Sequence, residues 1–124
     1  MIRQKFKVWV EDNIESLKNE GISTEFVMAN VENIELLAKP FIRIIQESEH
    51  CMGQVIVYKS REMDFEVIHK NTEELMLWKY FENIDDDIDF NAALNDYLNT
   101  LKKVLNLNKG VILVMGEELF DELF

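Results

Sequence analysis

Two histidines, one cysteine and a run of aspartates are the residues with which this chain could do chemistry. A thiol nucleophile needs a base within hydrogen-bond reach, and Cys51 stands directly beside His50. Adjacent residues on a strand point to opposite faces, so the two could not work together there. A buried thiol and a surface histidine are the expectation, with His69 the second histidine. The four glycines, Gly21, Gly53, Gly110 and Gly116, stand too far apart to build a phosphate-binding loop.

Asp85, Asp87 and Asp89 have the alternate spacing of a calcium loop, with Asp96 at its twelfth position. Phe90 occupies the place where such a loop needs glycine, and the residues after it follow helical spacing. One segment cannot both wrap an ion and present a helix's apolar face. Asp64 and Glu66 alternate on a predicted strand and share a face, the only carboxylate pair an enzyme could use; outward charged rows are also ordinary solvated surface. No catalytic residue, metal ligand or cofactor is expected, and the protein is read as no enzyme.

The elements that hold these residues follow from the hydrophobic period. Ile2, Phe6, Trp9, Val10, Ile14 and Leu17 fall at threes and fours, predicting an amphipathic helix over about residues 2–20 that stops at Gly21. Residues 22–38 fit both alternation and helical spacing in part, and read as irregular or as a short strand. The only proline, Pro40, precedes the β-branched run Phe41 to Ile45, where a missing N–H is tolerated. Strands are predicted at about 41–46, 54–59, 63–69 and 75–81, with polar separators of hairpin length, so an antiparallel meander follows. Met63, Phe65 and Val67 alternate with Asp64 and Glu66, giving one buried and one wetter face.

Phe90, Leu94, Tyr97, Leu98, Leu101 and Leu105 predict a second amphipathic helix at about 88–106, with Asp87 or Asp89 able to cap it. Residues 111–115 read as a possible further strand, and Leu119, Phe120 and Leu123 as the apolar side of a short terminal turn. No linker or repeat divides residues 1–124. The expectation is one α+β domain: an antiparallel sheet of about four to five strands flanked by an N-terminal and a C-terminal amphipathic helix, a two-layer sandwich.

The net charge is -11, from 24 acidic against 13 basic residues. Phosphate backbones would repel such a chain, so nucleic acid is not its expected partner. The acids are uneven. Glu82, Asp85, Asp86, Asp87, Asp89 and Asp96 lie in a segment without lysine or arginine, and the tail adds Glu117, Glu118, Asp121 and Glu122. A solvated face is one use of such runs; docking of a basic partner is the other. Trp78 and Tyr80 share a strand face opposite Leu75, Leu77 and Phe81, which is the core set if the helices cover it. If exposed, the two aromatics are suited to anchor a protein partner. One cysteine allows no internal disulfide, and no apolar run has the length of a signal-peptide core or a membrane span. A cytoplasmic protein without a membrane partner is expected.

The runs Lys39-Pro40-Phe41-Ile42-Arg43-Ile44, Glu47-Ser48-Glu49, Gly53-Gln54-Val55-Ile56-Val57-Tyr58 and Asp64-Phe65-Glu66-Val67-Ile68 precede an aromatic strand and a leucine-rich helix. Together with the helix carrying Trp9, this pattern over about residues 2–105 resembles the TriTu-related immunity proteins of bacterial contact-dependent inhibition and polymorphic toxin systems. The tail from Asn106 lies outside the resemblance. The resemblance implies a non-enzymatic protein that binds and neutralises a cognate toxin domain and protects the producing cell. It brings no catalytic residues. An acidic protein suits a nuclease target, whose groove is basic because it holds phosphates. An acidic secretion chaperone, usually a homodimer that holds an extended effector segment, is the alternative that the composition fits. The residues expected at a partner interface are Glu82, Asp85, Asp86, Asp87, Asp89, Glu117, Glu118, Asp121, Glu122, Trp78 and Tyr80.

Overall fold

The fold was obtained as a computed structural model, which describes residues 2–27 and 39–103. The predicted strand at 111–115, the acidic tail and the last residues of the predicted second helix lie outside the described residues.

Helix α1 (Ile2–Asn19) buries Ile2, Phe6, Val10 and Leu17, the stripe set by its period. It ends where predicted. Gly21 takes φ of 88°, its N–H bonds to the carbonyl of Lys18, and the Ile22 N–H bonds to the carbonyl of Leu17. This is a Schellman ending, closed by its usual apolar pair, since Ile22 and Leu17 are both buried.

Five strands follow in one antiparallel meander, in the spatial order β1-β2-β3-β4-β5. They are β1 (Ser23–Val27), β2 (Phe41–Glu47), β3 (Cys51–Tyr58), β4 (Met63–His69) and β5 (Leu75–Phe81). The first is a short strand in the segment that had read as ambiguous; among the described strands it pairs with β2 alone. Strand β3 starts three residues before the predicted boundary at 54, because Gly53 lies inside the strand instead of breaking it. The reason is a close approach by the Tyr97 ring, which leaves no room for a side chain at Gly53.

The second predicted helix is in fact two. Asp89 is the N-cap, its side chain accepting from the N–H of Asn91, so α2 (Phe90–Ala93) begins after it and not at 88. Leu94, at φ -101° and ψ 9°, interrupts the helix before α3 (Asn95–Leu101). The break lets Phe90 pack on Phe6 of α1, with ring centroids 5.3 Å apart, while Tyr97 packs on Phe65 of β4, also at 5.3 Å.

The helices cover one face of the sheet in a two-layer α+β arrangement. Register places Ile44 opposite Val55 and Val55 opposite Phe65, and all three are buried beneath Phe6, Val10, Leu94, Tyr97 and Leu101. One polar chain crosses this core: Tyr97 donates to Gln46 at 2.9 Å, and Gln46 donates to the hydroxyl of Thr24 at 2.9 Å. Trp9 closes the other end, its indole N–H bonding Asn91 at 2.9 Å.

On β5 the predicted core set needs correction. A register irregularity opposite Val67 and Ile68 inserts Met76 between paired Leu77 and Leu75. Met76, Leu77 and Phe81 pack against the core, whereas Leu75 is 57% exposed. A bulge adds one residue and reverses the alternation beyond it.

Candidate interaction surface

The helices take one face of the sheet, and the opposite face carries the surface of interest. Successive strand residues alternate, so register alone arranges this face in rows. One row runs Ile45, Gln54, Glu66, Trp78 across β2 to β5. The next runs Arg43, Ile56, Asp64, Tyr80. Trp78 is 58% exposed and Tyr80 43%, so these aromatics belong to the open surface and not to the core.

The hydrogen bonds on this face are uneven. Arg43 donates through Nε to Gln54 at 3.0 Å, and Gln54 reaches Glu66 at 3.5 Å. At the lower rim Glu62 is held from three sides: by Lys39 at 2.5 Å, by Ser60 at 2.8 Å and by the hydroxyl of Tyr80. The Lys39 ammonium bond, followed by those from Tyr80 and Ser60, holds the Glu62 carboxyl down at about 2. The same carboxylate pushes the Tyr80 phenol up to about 12, since ionising it would set two anions together. The Lys39 ammonium also lies 4.4 Å from the centroid of the Tyr58 ring, a cation–π contact.

Asp64 differs. It is half-buried and makes no hydrogen bond or ion pair with a described residue, and its carboxyl is raised above the ordinary value by burial first and by the charge of Glu66 next. The Lys39 charge acts against that rise from a distance, but neither Asp64 nor Glu66 forms an ion pair with a cation among the described residues.

The sequence-predicted acids divide into two groups. Asp86 is bound by Arg61 through both oxygens, at 2.9 and 2.8 Å, and its backbone carbonyl accepts from Lys5. Asp89 is spent on the α2 cap. Those two serve the fold. Glu82, Asp85 and Asp87 are exposed on the connection from β5 to α2, and the charge of Glu82 reaches Tyr80. Glu117, Glu118, Asp121 and Glu122 lie outside the described residues. Trp78 and Tyr80 thus adjoin the Glu82 end of the acidic connection. What the sequence reading missed is Glu62 with Lys39, partners 23 positions apart; alternation had marked Asp64 and Glu66 as sharing a face but gave no sign of which groups would meet them.

The thiol of Cys51 is buried, 3.6 Å from the Met76 sulfur and 3.8 Å from the Thr100 carbonyl, and burial pushes its pKa up. His50 stacks on His69 with centroids 6.5 Å apart. Among the described residues no group of three or more His, Cys, Asp or Glu side chains is placed to hold a metal ion, and no helix is long and apolar enough to cross a membrane.

The family described as Immunity protein TriTu matches residues 4–100 of the chain, a span that includes all five described strands, α2 and most of α1 and α3. Comparison with curated proteins and with solved structures yields no match.

Proposed function

Given that the chain belongs to the TriTu family of immunity proteins, we propose that it protects the cell that makes it by binding a folded cognate toxin domain in the cytoplasm, one to one and without catalysis. The target is a basic domain of the nuclease type. The observation that carries this is the charge: -11 overall, with Glu82, Asp85 and Asp87 exposed and Asp64 and Glu66 outside any ion pair among the described residues. A nuclease must attract phosphates, so its groove is positive, and an acidic protein is steered toward it at a rate that salt reduces.

The test is to mix the purified chain with the toxin domain encoded beside it and measure complex formation and residual RNA or DNA cleavage at low and physiological salt. Tight one-to-one binding, loss of cleavage and slower association at higher salt are expected. A toxin domain that binds the chain but leaves RNA and DNA intact when free would retain the immunity reading and remove the nuclease. Absence of binding by a folded toxin domain would remove both.

A further inference from the structure

We propose that the β4–β5 half of the open sheet face, with Trp78 and Tyr80 as anchors around Asp64 and Glu66, is the surface that seats the toxin domain, and that it receives an arginine or lysine side chain of that domain. This rests on the immunity reading and names the surface and the group it takes.

The argument starts from what the face offers. Trp78 and Tyr80 are large, open and stiff, and they stand in adjacent rows on β5, each directly beside a carboxylate of β4: Glu66 opposite Trp78, Asp64 opposite Tyr80. Aromatic side chains of this kind dominate the energetics of protein interfaces. Tyr80 is also fixed in place by its bond to Glu62, so little rotamer freedom remains to be lost on binding.

The charge then selects the occupant. Lys39 is paired with Glu62, though its charge also reaches Asp64, and Arg43 donates through Nε to Gln54 and to neither carboxylate among the described contacts. Asp64 makes no hydrogen bond or ion pair with a described residue, and Glu66 has a long contact from Gln54. An arriving guanidinium or ammonium would find two carboxylates for its charge and the indole face of Trp78 for its flat side. A second copy of this chain would bring the same carboxylates and the same net charge of -11, so a two-fold pairing of this face sets like charges against each other. Anionic lipid is disfavoured on the same ground.

The experiment uses the full chain and a catalytically inert form of the toxin domain encoded beside it, with affinity measured by biolayer interferometry. Trp78→Ala, and separately the pair Asp64→Asn with Glu66→Gln, are each expected to weaken binding by about 30-fold or more, as central interface residues do. Substituting Glu82→Gln, Asp85→Asn and Asp87→Asn together is expected to slow association but leave the dissociation rate near that of the parent. Oxidative footprinting of the unsubstituted complex is expected to protect Trp78 and Tyr80, which keeps the test decisive if a variant misfolds. Parent-like affinity of both sheet-face variants, or protection confined to residues 82–87, would overturn the surface assignment while leaving the immunity reading intact. A parent chain that sediments alone as a dimer, split by Trp78→Ala, would give the face to a second copy and also overturn it. If the unsubstituted pair does not bind at all, the immunity reading itself fails.

Discussion

The hydroxyl of Tyr97 lies 2.7 Å from the point where a Cβ on Gly53 would stand, and its ring carbon Cε1 lies 2.8 Å from that point. Gly53 is the place where α3 comes down onto the sheet. Only a residue without a side chain allows the Tyr97 hydroxyl to reach Gln46, the register partner of Gly53 on β2.

Gly53→Ala is therefore expected to destabilise the protein by about 1–3 kcal/mol through overpacking. Tyr97→Phe should cost about 1–3 kcal/mol by leaving a buried Gln46 oxygen without its donor. The double variant should cost less than the sum, because removing the hydroxyl relieves the contact closest to the new methyl group. Urea unfolding of the three variants against the parent measures all of these values.

Glu62 sets an acid limb on stability. Its folded pKa of about 2 lies below the ordinary 4.5, so its contribution is fully present above about pH 4.5 and is lost as pH falls toward 2. Glu62→Gln should be less stable than the parent at neutral pH, with the gap closing across that window. The carboxyl resonance of Glu62 should titrate near 2, and the Tyr80 phenol should move from about 12 back toward its ordinary 10 in the variant. Carboxyl-selective NMR and ultraviolet titration report the two shifts.

Asp64 runs with the opposite sign. Its folded carboxyl takes up a proton at higher pH than the unfolded one, so ionised Asp64 opposes folding at neutral pH, and the penalty disappears as pH falls below the unfolded value of 3.8. Asp64→Asn should be at least as stable as the parent at pH 7 and lose that advantage in acid. Denaturant unfolding of both proteins at neutral and acidic pH tests this, and the same substitution should weaken toxin binding. A residue that costs stability and contributes affinity is one retained for recognition.

Cys51 should be silent in the native state. Its thiol is buried and its pKa raised, so the reactive thiolate is scarce. Labelling by a disulfide reagent should proceed at the rate at which the core opens and should become immediate in denaturant. Rapid native labelling would contradict the packing of Cys51 against Met76 and Thr100.

Much of the fold was legible because period and burial coincide. Helix α1 shows an unbroken apolar stripe and a glycine stop, and β4 shows strict alternation, so both boundaries agree closely with the structure. Strand β1 was ambiguous because it is a short edge strand with no fully buried residue, so alternation left no clear imprint. The start of β3 was misplaced because glycine in a sequence reads as a break, whereas Gly53 is there to admit a ring from α3. The interruption at Leu94 has neither glycine nor proline to announce it, and the bulge at Met76 shifts Leu75 outward where Leu75, Met76, Leu77 and Trp78 are all apolar.

At the candidate site the sequence indicated the aromatics and the excess of acids. It could not distinguish acids that serve the fold from acids that remain free. That division depends on which cations the fold brings near, as Arg61 meets Asp86 and Lys39 meets Glu62.

The meander has a kinetic consequence. Strands β2 to β5 pair in chain order across turns of three, four and five residues, so closing each of these three hairpins requires only a short loop. Chains with such local contacts cross small entropic barriers and fold quickly. A bodyguard is of use only if it is ready before the blow, and this topology lets the sheet assemble in the order in which the ribosome delivers it.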